Sequence, residues 1–391
     1  MKILLIGEVY SENLGDGIIC ETVANLIKNA YPNCEIIMGD LSGKSDYEQN
    51  NIKQKNEKVH HLFKFNRHFP ASLEYPMYLL LNQDKAKKQQ IKEICNDDYD
   101  FAIFAGGQML FNHFVIPISR YVKQLKKKNI PVIFHSCGVG TINGKRLKKK
   151  LKKALTRKNI SSISIRDDIE TVKNIYLPEN KQKTYKTFDT ALWSAPEYHI
   201  QKQESSIIGL GIMFVPRQEK NLIHFWKQII HHLNQENMHW QLFCNGDKAD
   251  YKLAEQIIAA VNKDDPLQVS NPLAERPTKG KELVQQIAQY KSIISFRLHS
   301  HIVAASLGVP SIALDWDKKL TFFFESIHYS ERVSTHNDDP KEIIAKLKVA
   351  EEQNYSEAPL EEQKQQVLAL LYTSIESTKK ETVYILDNTL L

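Results

Sequence analysis

No run among the 391 residues approaches the roughly 20 apolar positions that a membrane-spanning helix needs. The five cysteines, Cys20, Cys34, Cys95, Cys137 and Cys244, stand far apart without CxxC spacing. That argues against a disulfide framework or a zinc cluster and for reduced thiols in a cytoplasmic protein. No His, Asp and Glu set has metal-ligand spacing, so no metal or cofactor is expected. The glycine turns lack the GxGxxG order of a dinucleotide site and the lysine of a phosphate-binding P-loop. No nucleic-acid motif is present. The opening residues, MKILLIGEVY, have no small-residue cleavage site and read as a first β-strand, not a signal peptide.

One absence is local. Residues 145–158, KRLKKKLKKALTRK, hold nine basic side chains and no acidic one. Leu147, Leu151, Ala154 and Leu155 recur at helical spacing, which predicts an amphipathic helix with a wide cationic face. Such a face suits either a solvated surface helix or peripheral contact with an anionic membrane.

What the chain does have is alternation. Short β-rich runs such as KILLIG (2–7), CEIIMG (34–39), DFAIFAGG (100–107), IPVIFHSCG (130–138) and SSISIRD (161–167) are separated by helical patterns. After the linker-like SAPEYHIQKQESS (194–206) the series restarts with SIIGLGIMFV (206–215), HWQLFCNG (239–246), IISF (293–296) and PSIALD (310–315). Alternation of this kind implies parallel sheets with right-handed crossovers, an α/β fold. Two series predict two Rossmann-like domains facing one another, over 1–195 and 205–345. A mostly helical tail follows at 346–391, with a strand-like pattern only at ETVYIL.

In parallel sheets ligands gather at the carboxyl ends of the strands. The first strand ends in a glycine turn with Asn13, Gly15 and Asp16, able to present N–H groups to an anion or to serve as a capped turn. Gly106, Gly107 and Gln108 follow another strand, His135 lies at the end of a third, and Arg166 ends a fourth, beside carboxylates that could pair with it. The densest set is Arg297, Leu298, His299, Ser300 and His301, directly after an apolar run, with Asp315, Asp317, Lys318 and Lys319 after the next. An arginine at a buried strand end needs an anion, either internal, with Asp315 a candidate, or bound.

The segment RLHSHIVAASLGVPSIALDWDKK (297–319) resembles the RLH-containing signature of the polysaccharide pyruvyl transferases. NLGD (13–16), AGGQ (105–108), HSCGVG (135–140), SIRDD (164–168) and DTALW (189–193) follow that family's order. AGGQ stands where a third glycine is common, and Trp316 where tyrosine is usual. The resemblance implies a GT-B-like pair of α/β domains. It also implies transfer of a pyruvyl group from phosphoenolpyruvate to two hydroxyls of a sugar, giving a cyclic ketal and phosphate. The acceptor sugar would be nucleotide-linked, lipid-linked or polymeric, with acceptor loops drawn from 42–75 and 108–120. Arg297, with Arg166 or Lys318, would hold the donor anion. His299 would be the general acid, as histidine titrates near working pH, and Asp16 the base. The competing reading is a nucleotide-sugar glycosyltransferase of the same architecture, since fold alone does not decide between them.

Overall fold

The computed structural model describes residues 1–48, 83–177, 183–264 and 269–389. Of the expected acceptor stretch at 42–75, residues 49–75 lie outside them. Contacts divide the chain into two units: Met1–Ser11, Ile19–Asp189 and Gln366–Leu391 form one, Glu12–Ile18 and Thr190–Gln365 the other.

The first unit is built on a parallel sheet of β1 (Lys2–Gly7), β2 (Glu35–Asp40), β3 (Phe101–Phe104), β4 (Gly107–Leu110), β5 (Val132–Val139), β6 (Ile160–Ile165) and β7 (Thr184–Lys186). Their order is β2-β1-β3-β5-β6-β7, with β4 pairing against β5. Runs such as FAIF are buried at every residue, as strands covered on both faces must be. A continuous apolar core joins strand residues Leu4, Phe104, Phe134 and Ile163 to Ile118 and Leu125, Leu151 and Leu155, and Val172. The helices Val115–Lys127 and Lys145–Leu155 and the turn Val172–Tyr176 therefore share one face of this sheet.

The second unit carries β8 (Ile208–Gly211), β9 (Trp240–Phe243), β10 (Ser292–Ser295), β11 (Ser311–Leu314) and β12 (Val333–Ser334), all parallel, in the order β12-β11-β10-β8-β9. The chain leaves β8 toward β9 and then returns past it to β10. The β8/β10 boundary is thus a topological switch point, where helices diverge and a crevice opens at the strand ends. Two α/β units with parallel sheets make this a GT-B-like pair of Rossmann-like domains.

Two sequence expectations change. ETVYIL is not a strand: the helix Glu357–Thr389 runs through it, so an established helix extends over β-branched residues whose local preference opposes it. SIIGLGIMFV pairs only over Ile208–Gly211, and three residues beyond that the Phe214 N–H donates to Asp250 Oδ1 at 2.7 Å instead of to a strand.

Candidate functional site

The second unit gathers the candidate residues at the carboxyl rim of its sheet. β10 ends at Ser295, and Arg297 takes an extended conformation as the N-cap of the helix Leu298–Leu307. No acidic side chain occupies the first turn of that helix, so its N–H groups and dipole are oriented to favour an anion. Gly308, with φ of 71°, ends it in the left-handed conformation that glycine tolerates. Leu298 is buried.

Arg297 has an internal partner, and it is not Asp315. Its Nε and Nη2 both donate to Asp250 Oδ2, at 2.9 and 2.5 Å, and Asp247 Oδ2 lies 3.8 Å from Nη2. Asp315 instead accepts from Thr321 Oγ1 and from the Asp317 N–H. Burial pushes the Asp250 carboxyl up to about 6, against the opposing pull of the Arg297 charge. Asp250 sits in the helix Lys248–Asp264, just past the end of β9. Sequence reasoning missed it, although applying the strand-end rule to CNGDKAD after β9 would have found it.

His299 and His301, two residues apart on the helix, point to different surroundings. His301 is fully buried: Nε2 donates to the Ser295 carbonyl at 2.9 Å, and Nδ1 lies 3.0 Å from Ser311 Oγ. Burial lowers its pKa to about 4, so the ring is neutral and Nδ1 accepts. Ser311 then donates to the ring, and Tyr355 donates to Ser311 at 2.8 Å. His301 is a structural link. His299 packs against the turn Asn13–Asp16, whose contacts belong to this second unit. A Cβ on Gly15 would lie 2.2 Å from His299 Nδ1, so only glycine lets the turn and the ring meet.

That turn is held on the same rim. The Leu14 N–H donates to the Asn245 carbonyl at 2.9 Å, and Lys248 pairs with Glu12 at 3.4 Å. Asn13 Nδ2 donates to Asp16 Oδ2 at 3.1 Å, which orients the carboxylate. Asn245 Oδ1 accepts from Ser300 Oγ at 2.7 Å. Asn245 Nδ2 and Asn13 Oδ1 are buried atoms with no protein partner, a donor and an acceptor left over at one rim. Trp316 Nε1 donates to the Phe296 carbonyl at 2.8 Å, tying the segment after β11 to the end of β10. Lys319 lies over the Trp316 ring, 4.6 Å from its centroid. Lys318, the first residue of the helix Lys318–Ser326, is exposed.

Five candidates, Gly106, Gly107, Gln108, His135 and Arg166, belong to the first unit. The Arg166 side chain is buried and ion-paired with Asp189, with Asp167 3.9 Å from its Nε. Asp168 caps the next helical turn at the Thr171 N–H. Gly106 and Gly107 have φ of 102° and 80°, and Gly106 lets the chain approach the His135 and Ser136 carbonyls. The Gln108 side chain lies against Gly140. His135 is fully buried, and neither ring nitrogen has a partner. A cavity of about 320 Å³ opens elsewhere in this unit, lined by Ser162, Tyr185 and Thr373 among others, and none of the candidate residues borders it. Among the described residues no three His, Cys, Asp or Glu groups converge as a metal-ligand set.

A family model described as "Polysaccharide pyruvyl transferase" matches residues 13–318. No curated protein matches the chain significantly. Among solved structures, the chain is similar to a putative UDP-N-acetylglucosamine 2-epimerase from Listeria monocytogenes, with a TM-score of 0.60 at 10% identity over 97% of both chains. A UDP-GlcNAc 2-epimerase from Methanocaldococcus jannaschii gives 0.54 at 12% identity over 99% of both. The trehalose-6-phosphate synthase OtsA gives 0.51 at 8% over 99% of both. At these identities the likeness is one of fold.

Proposed function

The chain belongs to the polysaccharide pyruvyl transferase family, and from that premise we propose that it moves a pyruvyl group from phosphoenolpyruvate onto two hydroxyls of one sugar, as a cyclic ketal. The observation that carries this reading is the junction of β10 with the helix Leu298–Leu307. There Arg297, a helix N-terminus free of carboxylates and His299 follow one another, with Gly15 against the imidazole. Phosphoenolpyruvate brings a phosphate and a carboxylate. The Arg297 fork and the helix N–H groups suit one anionic group, and Lys318 supplies a second cation from the end of β11. Arg166, Gly106, Gly107 and Gln108 are substrate-binding candidates of the first unit, taken by themselves.

His299 gives a proton to the methylene carbon of the enol ester, which becomes a methyl group. The neighbouring carbon gains cationic character, and a sugar hydroxyl oxygen bonds to it. The C–O bond to phosphate breaks, and a second hydroxyl closes the ketal on the same carbon. Two hydroxyl protons are released. One restores His299, and the other leaves with phosphate by way of Asp16, which the Asn13 amide orients. Asn245 Nδ2 and Asn13 Oδ1 offer a hydroxyl-bearing substrate a donor and an acceptor that no protein group uses.

The acceptor is a sugar of a surface polysaccharide or its precursor, whether nucleotide-linked, lipid-linked or polymeric. The reaction takes place in the cytoplasm, where phosphoenolpyruvate is made, with peripheral contact at the inner membrane face through residues 145–158. No helix among the described residues is long and apolar enough to cross a membrane. Incubation with phosphoenolpyruvate and a panel of galactosides, glucosides and mannosamine derivatives tests the reaction. Phosphate release with a pyruvyl mass adduct, absent in His299→Ala, is the expected result. Turnover with nucleotide sugars alone would replace this reading with a glycosyltransferase.

A further inference from the structure

We propose that one whole face of the first unit, wider than the single basic helix, is a docking surface for an anionic phospholipid bilayer. The helices Val115–Lys127 and Lys145–Leu155 pack side by side on the same sheet face, sharing one apolar core. The first turns Ile118, Tyr121, Val122 and Leu125 inward, the second Leu151, Ala154 and Leu155. Their outer sides therefore share one aspect of the unit. Residues 115–128 hold five basic side chains and residues 145–158 hold nine, and neither segment contains an aspartate or glutamate. Without those fourteen the remaining chain would carry a formal charge of −8 in place of +6. The protein is thus not generally basic. Its excess positive charge is concentrated on one layer.

Two carboxylates near this layer have partners at its edge. Asp98 pairs with Lys128 at its border, and Glu170 pairs with Lys173 on the adjoining turn. Lys123, Lys126, Lys127, Lys148, Lys149, Lys152 and Lys153 are exposed. Packed against the basic helix, the turn Val172–Tyr176 carries Ile175, an apolar side chain left 44% exposed. A cationic layer with an exposed apolar side chain on the adjoining turn matches the interface of a bilayer, where headgroups meet acyl chains.

The composition of the layer selects the lipid over a nucleic acid. Eleven of the fourteen cations are lysines, point charges suited to a diffuse anionic surface, where arginine forks would read individual phosphates. The large hydrophobic side chains exposed on the described residues include aromatic ones, but none stands on these two helices to stack a base. The inference rests on charge and packing alone and is independent of the pyruvyl transfer chemistry.

Co-sedimentation of the full chain with phosphatidylcholine vesicles, with and without phosphatidylglycerol, tests it. The expected result is binding only to the anionic vesicles, released as salt rises and screens the surface. Combined Lys149→Glu, Lys152→Glu and Lys153→Glu should weaken that binding about tenfold or more. Lys123→Glu with Lys126→Glu should weaken it in the same direction, and Lys252→Glu with Lys281→Glu on the second unit should leave it unchanged. The reversals should keep or raise the thermal midpoint, as they remove repulsion, and should keep phosphate release with a soluble acceptor. Loss of that release in the wild type would count against the transferase reading alone. Equal binding to neutral vesicles, no binding by the wild type, or full binding by both reversal sets would overturn the proposal. So would capture by soluble polyglutamate or heparin with vesicles ignored.

Discussion

Arg297 Nε and Nη2 converge on a single oxygen of Asp250, whose other oxygen takes the Phe214 N–H. The guanidinium is gripped on one edge by the helix Lys248–Asp264, and its remaining N–H groups are set in direction by that grip. Asp250 is a positioning residue in this arrangement. Asp250→Asn should raise the KM for phosphoenolpyruvate about tenfold with a smaller change in kcat, and Arg297→Lys should do the same because it loses the fork. Asp250→Ala should also cost about 2–3 kcal/mol of stability. That is below the figure for a wholly buried pair, since Arg297 keeps 19% of its side chain exposed. Unchanged donor KM in all three variants would remove Arg297 from the site.

Gly15 and His299 make a second, sharper relationship. The methyl group of Gly15→Ala would fall 2.2 Å from Nδ1 and 2.4 Å from Cβ of the histidine, so the ring or the turn must shift. Gly15→Ala should lower kcat at least tenfold, about 1.4 kcal/mol in barrier, with donor affinity nearly kept. The same change in a His299→Ala background should have almost no further effect on rate, because the ring it displaces is gone. An additive loss in the double variant would show that Gly15 acts by another route.

How much of this could be read from the sequence differs from residue to residue. Arg297 and His299 were visible because they interrupt an apolar run at a strand end, a local signal. Asp250 lies 47 positions from Arg297 in a polar segment with no such interruption, and only the order β10-β8-β9 brings it to the same rim. The turn at Asn13–Asp16 follows the first strand of one unit yet makes its contacts in the other, and no local pattern reports that. ETVYIL shows the opposite case: its β-branched residues favour a strand locally, while the helix extends over them from its preceding turns.

Lys318 is the least anchored of the proposed donor ligands. It opens the helix Lys318–Ser326 after the Asp317 cap, and it is exposed. Lys318→Ala should raise the donor KM several-fold and leave the unfolding free energy within about 0.5 kcal/mol of wild type, as surface changes usually do. Isothermal titration with phosphoenolpyruvate distinguishes this from Lys149→Ala on the basic helix, which should bind the donor like wild type. Equal affinity in the two variants would take Lys318 out of the cradle.

Two buried histidines should make the fold acid-labile, with Asp250, pushed up by burial to about 6, offsetting part of the loss because its native carboxyl takes up a proton before the unfolded one does. Burial lowers His135 and His301 to about 4 each. An unfolded chain holds its histidines near the ordinary value of about 6.5. Between those values the unfolded state binds protons that the native state does not, so stability falls as pH falls from about 6.5 toward 4. Each ring should cost about 2 kcal/mol of stability on going from pH 7 to pH 5. His135→Leu removes one titration together with two nitrogens that have no partner, and it should be at least as stable as wild type at pH 7. His301→Gln keeps a donor for the Ser295 carbonyl and an acceptor for Ser311, at some cost in packing. Urea midpoints at pH 7 and pH 5 check the sign: each single variant should lose less stability than wild type over that interval, and the double variant least. Variants that lose as much stability as wild type across it would mean that these rings protonate in place.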